Sequence, residues 1–437
     1  MYNNKYMSKK AWVISINMGY GHQRTAYPLK SFAEQERIIC ANDYPGIPEK
    51  DKKIWESSRY FYEFVSRFKK FPFIGDIAFG LFDATQKIKD FYTSKDLSNS
   101  SFTQRRTNGL FNRGWGKDLI TKLSRENIPM VSTFYNPAFM AEHFDYPNDI
   151  FCVICDADIS RSWAPVNGKK SRIKYFTPNE RTGKRLRLYG VKKENIILTG
   201  YPLPMENIGG KKMEVLVEDM KNRIINLDPS GKYREKHGFI IREKLGKLPL
   251  KSDHPLTIMF AVGGAGAQKE MGVELVRRLK KIIYAGRLKV ILVAGVKKDI
   301  KEYFEKELRN GGLGELMDDG IEIIYANTFE EYYNKFNLAL RKTDMLWTKP
   351  SELSFYSALG LPIIIAPIIG SQEEFNKRWL LKSGFGIEQK DISHVKEWLY
   401  DWIDAGYFAD MAMEGFISGE KLGTEKIKEQ IQKCSGS

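Results

Sequence analysis

The chain has 437 residues, of which 42 % are hydrophobic and 28 % charged; this excludes a disordered chain and predicts two or three domains. Its 69 basic against 54 acidic residues give a net charge of +15, which favours an anionic partner: phosphate, nucleic acid or an acidic membrane surface. Four scattered cysteines make no disulfide framework and point to a reducing compartment, no apolar run reaches the ~18 residues of a membrane span, and the polar residues 1–10 lack the apolar core of a secretory signal.

In chain order, residues 11–16 (Ala-Trp-Val-Ile-Ser-Ile) read as a buried strand. They run into Gly19-Tyr20-Gly21-His22 and then a helical pattern over 23–35, the opening of a doubly wound α/β domain. Residues 55–92 hold twelve Phe, Tyr or Trp, interleaved with Arg59, Arg67, Lys69 and Lys70. Buried strands follow at 130–133 and 150–155. Between 167 and 193 there are ten Lys or Arg against one acid, Glu180, a run that is ordinarily a solvated helix face. It includes a basic helix over 180–189, closed by Gly190. A strand at 196–199 ends in Gly200-Tyr201-Pro202.

Residues 205–254 are charged, lack a strand pattern and read as a linker with helical insertions. A second series starts with a strand at 257–262, the loop Gly263-Gly264-Ala265-Gly266-Ala267-Gln268 and a helix to 284. Strands at 289–294 and 321–325, a helix at 301–309 and an Ile-rich strand at 361–366 continue it. Two halves that each open strand, glycine loop, helix imply two similar domains facing a cleft.

Three constellations suit chemistry. Gly19 and Gly21 let backbone approach a ligand, and His22, one of five histidines, sits where a helix start favours the neutral imidazole, able to accept a proton. The bland alternative is a capping turn with a structural histidine. The loop from Gly263 to Gln268 lacks the Lys-Ser/Thr of a phosphate loop but suits close approach of a pyrophosphate; the alternative is a tight turn. Ser351 and Glu352 follow Thr348-Lys-Pro350, and Gln372, Glu373 and Asn376 follow the strand at 361–366, at the sheet edge where open α/β folds bind ligands. Glu373 and Asn376, three apart, share a helix face.

Two look-alikes are set aside. Cys152-x-x-Cys155 lies in an apolar strand without a second pair, and reads as packing. Asp156-x-Asp158 follows a strand but lacks the small-residue turn of a nucleophile motif, and reads as an acidic loop lining the cleft rather than a metal site.

Gly19-Tyr-Gly-His-Gln-Arg-Thr-Ala26, Tyr175-Phe-Thr-Pro-Asn-Glu180, Tyr189-Gly-Val-Lys-Lys-Glu-Asn-Ile196 and Thr199-Gly-Tyr-Pro202, then Thr348-Lys-Pro350, Ala358-Leu-Gly-Leu-Pro362 and Gln372-Glu-Glu-Phe-Asn376, taken in this order, resemble the GT-B glycosyltransferases. Within them the likeness is to the monogalactosyldiacylglycerol synthase-like transferases and the GlcNAc transferase that makes lipid II. The resemblance implies two doubly wound Rossmann-like domains: an acceptor-binding one over 1–204 with C-terminal helices near 406–437 returning to it, and a nucleotide-sugar-binding one over 255–405. One position departs. Where the family carries the Glu that binds the donor ribose this chain has Phe355, and Glu352 is the nearest acid.

The implied activity is transfer of a sugar from a nucleotide-sugar, UDP-linked, to an acceptor hydroxyl such as that of diacylglycerol. His22 is the general base, with Gly19, Gly21 and Asp156 lining the acceptor side. Gly263, Gly264, Gly266, Gln268, Ser351, Glu352, Gln372, Glu373 and Asn376 take the donor. No metal or cofactor is called for. The segment 55–92 sits where lipid-acceptor relatives touch the membrane, and its aromatic and basic mix suits an anionic interface, so the expected location is cytoplasmic and peripherally membrane-bound. The same mix suits single-stranded nucleic acid, but that leaves the glycine loops unexplained and is rejected. The alternatives are a nucleotide-sugar epimerase of the same fold and, motivated by Phe355, a non-catalytic nucleotide-sugar-binding protein.

Overall fold

The computed structural model describes residues 10–57, 88, 91, 96–261, 266, 268–317, 319–368 and 371–434. They fall into two compact units, divided as Met1–Leu203, Ile369–Asn376 and Leu422–Ser437 against Pro204–Ile368 and Lys377–Lys421. Each is built on one six-stranded, all-parallel sheet.

The first sheet comprises β1 (Ala11–Ser15), β2 (Ala33–Cys40), β3 (Met130–Ser132), β4 (Ile150–Val153), β5 (Lys174–Thr177) and β6 (Ile196–Leu198), in the order β2-β1-β3-β4-β5-β6. Helices on its faces include α1 (Tyr20–Ala26), α2 (Phe102–Asn112), α3 (Tyr135–His143) and α4 (Glu180–Leu188). The core joins Val13, Val131, Phe151 and Phe176 to Leu29 and Phe32. The Phe151 and Phe176 rings stack at 4.9 Å.

The expected helix over 23–35 is shorter. α1 ends at Ala26, and Pro28, which has no N–H to donate, starts a 3-10 turn over Tyr27–Phe32. The chain then enters β2, a strand the sequence does not announce. Between Ala11↔Ala33 and Val13↔Ile38 the register slips, and Gln35 and Glu36 take φ of 53° and 52° in the extra residues.

The second sheet comprises β7 (Leu256–Ala261), β8 (Leu288–Gly295), β9 (Ile321–Tyr325), β10 (Met345–Thr348), β11 (Ile363–Ile365) and β12 (Gly386–Glu388). Its order is β12-β11-β10-β7-β8-β9, two halves that diverge from β7 and β10, with a 3-10 turn rather than an α-helix between β10 and β11. β7 is buried along its whole length, as strands covered on both faces are. Helix α5 (Lys269–Tyr284) follows β7, and α6 (Ser371–Lys382) follows β11.

The helix over Glu214–Leu227 belongs to this unit: buried Arg223 donates to the carbonyls of Thr343 and Leu359 at 2.9 and 2.7 Å. Gly360, at φ +67°, is pressed so close to Met220 that a Cβ there has no room.

Helix α7 (Gly423–Cys434) returns to the first unit, where Ile427 and Ile431 enter its core and the Thr424 hydroxyl donates to the Leu203 carbonyl at 2.7 Å. The fold is thus α/β with two doubly wound Rossmann-like units, as the resemblance implies. Among the described residues no helix is long and apolar enough to cross a membrane.

Candidate functional site

In an open parallel sheet, ligands bind at the carboxyl ends of the strands where the strand order reverses. In the first unit that point lies between β1 and β3. Gly19, at φ +101°, turns the chain out of β1 in a conformation that side chains resist, and α1 starts at the next residue. Gly21 lies inside α1, where its carbonyl accepts the Thr25 hydroxyl at 2.8 Å.

His22 is tied to the end of β3. Its Nδ1 lies 2.8 Å from the carbonyl oxygen of Thr133, and the Thr133 hydroxyl donates back to the His22 carbonyl at 2.9 Å. A carbonyl oxygen only accepts, so in the neutral ring Nδ1 carries the hydrogen and Nε2 carries the basic lone pair. Cys155 Sγ lies 3.6 Å from the same Nδ1. Phe134 meets the imidazole edge-on at 4.8 Å, and the Trp163 ring is 6.2 Å away. The sequence assigns Thr133, Phe134 and Trp163 no site role and reads Cys155 as packing within a strand, whereas β4 ends at Val153 and Cys155 lies beside His22. Their one shared signal is position, directly after β3 or in the loop after β4.

Asp156 and Asn376, 220 residues apart, meet. Asn376 Nδ2 donates to Asp156 Oδ1 at 3.1 Å, and its Oδ1 accepts the Ala157 N–H at 2.8 Å. The buried Asn376 amide therefore fastens the loop after β4 in the first unit. Asp158, two residues on, is committed elsewhere: Arg185 binds it through Nε and Nη2 at 2.9 Å each, and Arg181 Nε reaches it at 2.7 Å. The Phe91 ring lies against both guanidinium groups, 4.5 Å from Arg181 and 4.1 Å from Arg185. Part of the basic run is thus internal pairing. Cys152 is packed in β4, and burial pushes its thiol pKa up, keeping it protonated.

In the second unit the order reverses between β7 and β10. Gly263 and Gly264 lie outside the described residues. Gly266 takes φ +68°, and a Cβ there would come 2.6 Å from Ile300 Cδ1, so packing as well as conformation calls for glycine. Gln268, at φ +69°, donates from Nε2 to the Pro367 carbonyl at 2.7 Å and joins the loop after β7 to the loop after β11.

Beyond β10, Ser351 precedes the 3-10 turn Glu352–Leu359, and Glu352 is its buried first residue. Phe355 is turned into the core, its ring 5.0 Å from Trp379. Glu373 is half-buried in α6, and Gln372 is placed there by its backbone alone. The expected membrane-contacting segment 55–92 lies almost wholly outside the described residues. Among those described, no three His, Cys, Asp or Glu side chains gather as a metal site would need.

A domain of unknown function, DUF6938, matches residues 248–317. No curated protein matches the chain. Among solved structures the chain is similar to MurG of Acinetobacter baumannii at 11 % identity, covering 97 % of this chain and 99 % of that one, with a TM-score of 0.48. It is similar to a UDP-GlcNAc 2-epimerase from Neisseria meningitidis bound to UDP-GlcNAc at 13 % identity, covering 82 % and 88 %, with a TM-score of 0.44. HepE of Anabaena, in complex with UDP and glucose, is similar at 12 % identity over 74 % and 83 %, with a TM-score of 0.42. Likeness of this size assigns no chemistry to the chain.

Proposed function

We propose that the chain is a glycosyltransferase that moves a sugar from a UDP-linked donor, held by the second unit, to an acceptor hydroxyl held by the first. The observation that carries this reading is the His22 geometry: an imidazole at the reversal point of the first sheet, with Nδ1 on the Thr133 carbonyl and the basic Nε2 set by that bond. In the proposed step the acceptor oxygen forms a bond to the anomeric carbon while its proton passes to Nε2. The bond from that carbon to the diphosphate oxygen breaks, and UDP leaves with the electron pair.

Backbone N–H groups of Gly263, Gly264 and Gly266 offset the charge that builds on the diphosphate. Ser351 and Glu352 serve the ribose in place of the acid replaced by Phe355, and Gln372 and Glu373 hold sugar hydroxyls. Asn376 acts through Asp156 and Ala157, which it already binds, and so positions the acceptor side. The acceptor class is a membrane lipid hydroxyl such as that of diacylglycerol, reached from an anionic surface by the aromatic and basic segment 55–92, and no metal takes part.

A thermal-shift screen of nucleotides and nucleotide-sugars tests the donor half. UDP and at least one UDP-hexose should raise the melting temperature, since a ligand at 100 times its Kd adds ~2.7 kcal/mol. A flat response to every UDP-sugar rejects the reading.

A further inference from the structure

We propose that the second unit carries a docking surface of its own for an anionic bilayer: the helix Lys232–Leu245 and the segment 246–251 that follows it. The lipid-acceptor reading supplies the reason for a bilayer, and the proposal rests on it to that extent. The surface itself stands on exposure and charge.

The helix packs by one face. Tyr233, Ile241 and Leu245 are buried, and Tyr233 lies so close to Gly406 that a Cβ there would come 3.2 Å from the tyrosine Cβ. The opposite face, turned to water, should be polar. It carries Phe239 instead, 84 % exposed. Gly246, at φ +75°, ends the helix, and the chain then runs through Leu250, which is fully exposed. Beyond it the Asp253 N–H donates to Asn222 Oδ1 at 3.1 Å, and Asn226 Nδ2 donates to the His254 carbonyl at 3.2 Å. These bonds bring the segment back to the helix Glu214–Leu227, so one helical hairpin carries both side chains. Phe239 and Leu250 are the two most exposed large apolar side chains among the described residues. A lone exposed apolar residue needs no explanation, but two on one hairpin mark a contact.

Charge names the partner. From 232 to 251 seven Lys or Arg stand against two acids. Arg234 is held by Asp228 at 2.9 Å, and Lys244 by Glu243 at 2.8 Å. Lys232, Lys236, Arg242, Lys247 and Lys251 are exposed and pair with no carboxylate among the described residues. Against these five stands Glu235. Apolar tips set among unpaired cations suit anionic lipid, where the tips enter the acyl boundary and the cations meet headgroups. A soluble polyanion would engage the cations and gain little from Leu250. A second copy docked through the same surface would set five cations against five. The segment 55–92, to which membrane contact is otherwise assigned, belongs to the first unit, so this is a separate surface.

The test is hydrogen exchange of the full chain, read by mass spectrometry, with vesicles of phosphatidylcholine and phosphatidylglycerol that contain no diacylglycerol, and with no sugar donor. Exchange over 232–251 should slow with these vesicles and stay unchanged with phosphatidylcholine alone or with a single-stranded oligonucleotide. Phe239→Ser with Leu250→Ser should lower partitioning onto the vesicles by ~10-fold or more at any salt concentration. Lys247→Gln with Lys251→Gln should lower it by ~20–30-fold at low salt, about 5-fold for each lysine, and by less as salt rises. All four positions are exposed, so the melting temperature of each variant should match that of the wild type. Unchanged exchange over 232–251, wild-type partitioning of either double variant, equal binding to neutral vesicles, or equal protection by the oligonucleotide would each overturn the proposal. With no donor present, its failure leaves sugar transfer standing, and a failure of transfer leaves this surface standing.

Discussion

His22 and Thr133 hold each other by two bonds running in opposite directions: the ring Nδ1–H to the Thr133 carbonyl at 2.8 Å, and the Thr133 hydroxyl to the His22 carbonyl at 2.9 Å. The first fixes which nitrogen is basic. The second fixes the start of α1 against the end of β3. A side chain with one tautomer and a restrained ring suits proton transfer.

Replacing His22 therefore separates binding from chemistry. His22→Ala should leave donor affinity nearly intact and slow sugar transfer by ~10²–10⁴-fold. Thr133→Val keeps the backbone carbonyl that sets the tautomer and loses only the return bond, so its loss should be much smaller. Turnover of His22→Ala at the wild-type rate removes the residue from the mechanism.

The Asp158 cluster is a stability element. Arg185 and Asp158 side chains are 0 % and 1 % exposed, whereas Arg181 is 41 % exposed. Arg185→Met takes two of the three arginine bonds from this buried carboxylate and leaves it only Arg181 at the solvent edge, so it should cost up to ~3–5 kcal/mol in urea unfolding. Arg181→Met, at the solvent edge, should cost under ~1 kcal/mol. Equal costs would mean that burial does not govern this cluster.

At Gly266 two effects act on one position, the positive φ and the approach of Ile300. Gly266→Ala should lower the melting temperature even without ligand. Adding Ile300→Ala frees the space but not the backbone, so it should relieve only the steric share of the damage done by Gly266→Ala, on top of its own cavity cost. A Gly266→Ala protein as stable as wild type, yet weaker for UDP-sugar, would place the whole role of the glycine at the ligand.

His254 makes the second unit pH-sensitive. Burial alone would lower its pKa, but bonds to Asp344 (Nε2, 3.3 Å) and Asp253 (Nδ1, 2.5 Å) outweigh that and raise it above 6.5. A raised folded pKa means that the folded state holds its proton after the unfolded chain has released its own. The contribution is complete below pH 6.5 and is lost as pH rises through the folded value. Burial raises the Asp344 carboxyl as well, so its own share is likewise lost as pH rises above 3.8. His254→Gln should flatten the fall of stability above pH 6.5 seen in urea titrations; an unchanged slope excludes the histidine as its source.

Strands buried on both faces are plain in the sequence: β7 and β8 are nearly unbroken apolar runs. β2 is hidden because it is an edge strand whose first half, Glu34 to Arg37, is polar and bulged, and so continues the helical pattern before it. Of the candidate site, His22 stands out by its glycines. Its partner Thr133 does not, since the bond is to a backbone carbonyl that any residue supplies. Asn376 is legible as a polar residue after a strand, but its bonds to Asp156 and Ala157 come from tertiary packing across 220 residues, beyond the reach of local pattern.

Sugar transfer is measured by following radiolabelled UDP-galactose, UDP-glucose and UDP-GlcNAc with the full chain, with and without anionic liposomes containing diacylglycerol. Label should enter the lipid phase with one UDP released per sugar transferred, only when liposomes are present, and ~10²–10⁴-fold more slowly in His22→Ala. Label that stays on UDP with every donor, or a sugar epimerised on UDP without lipid, would contradict sugar transfer.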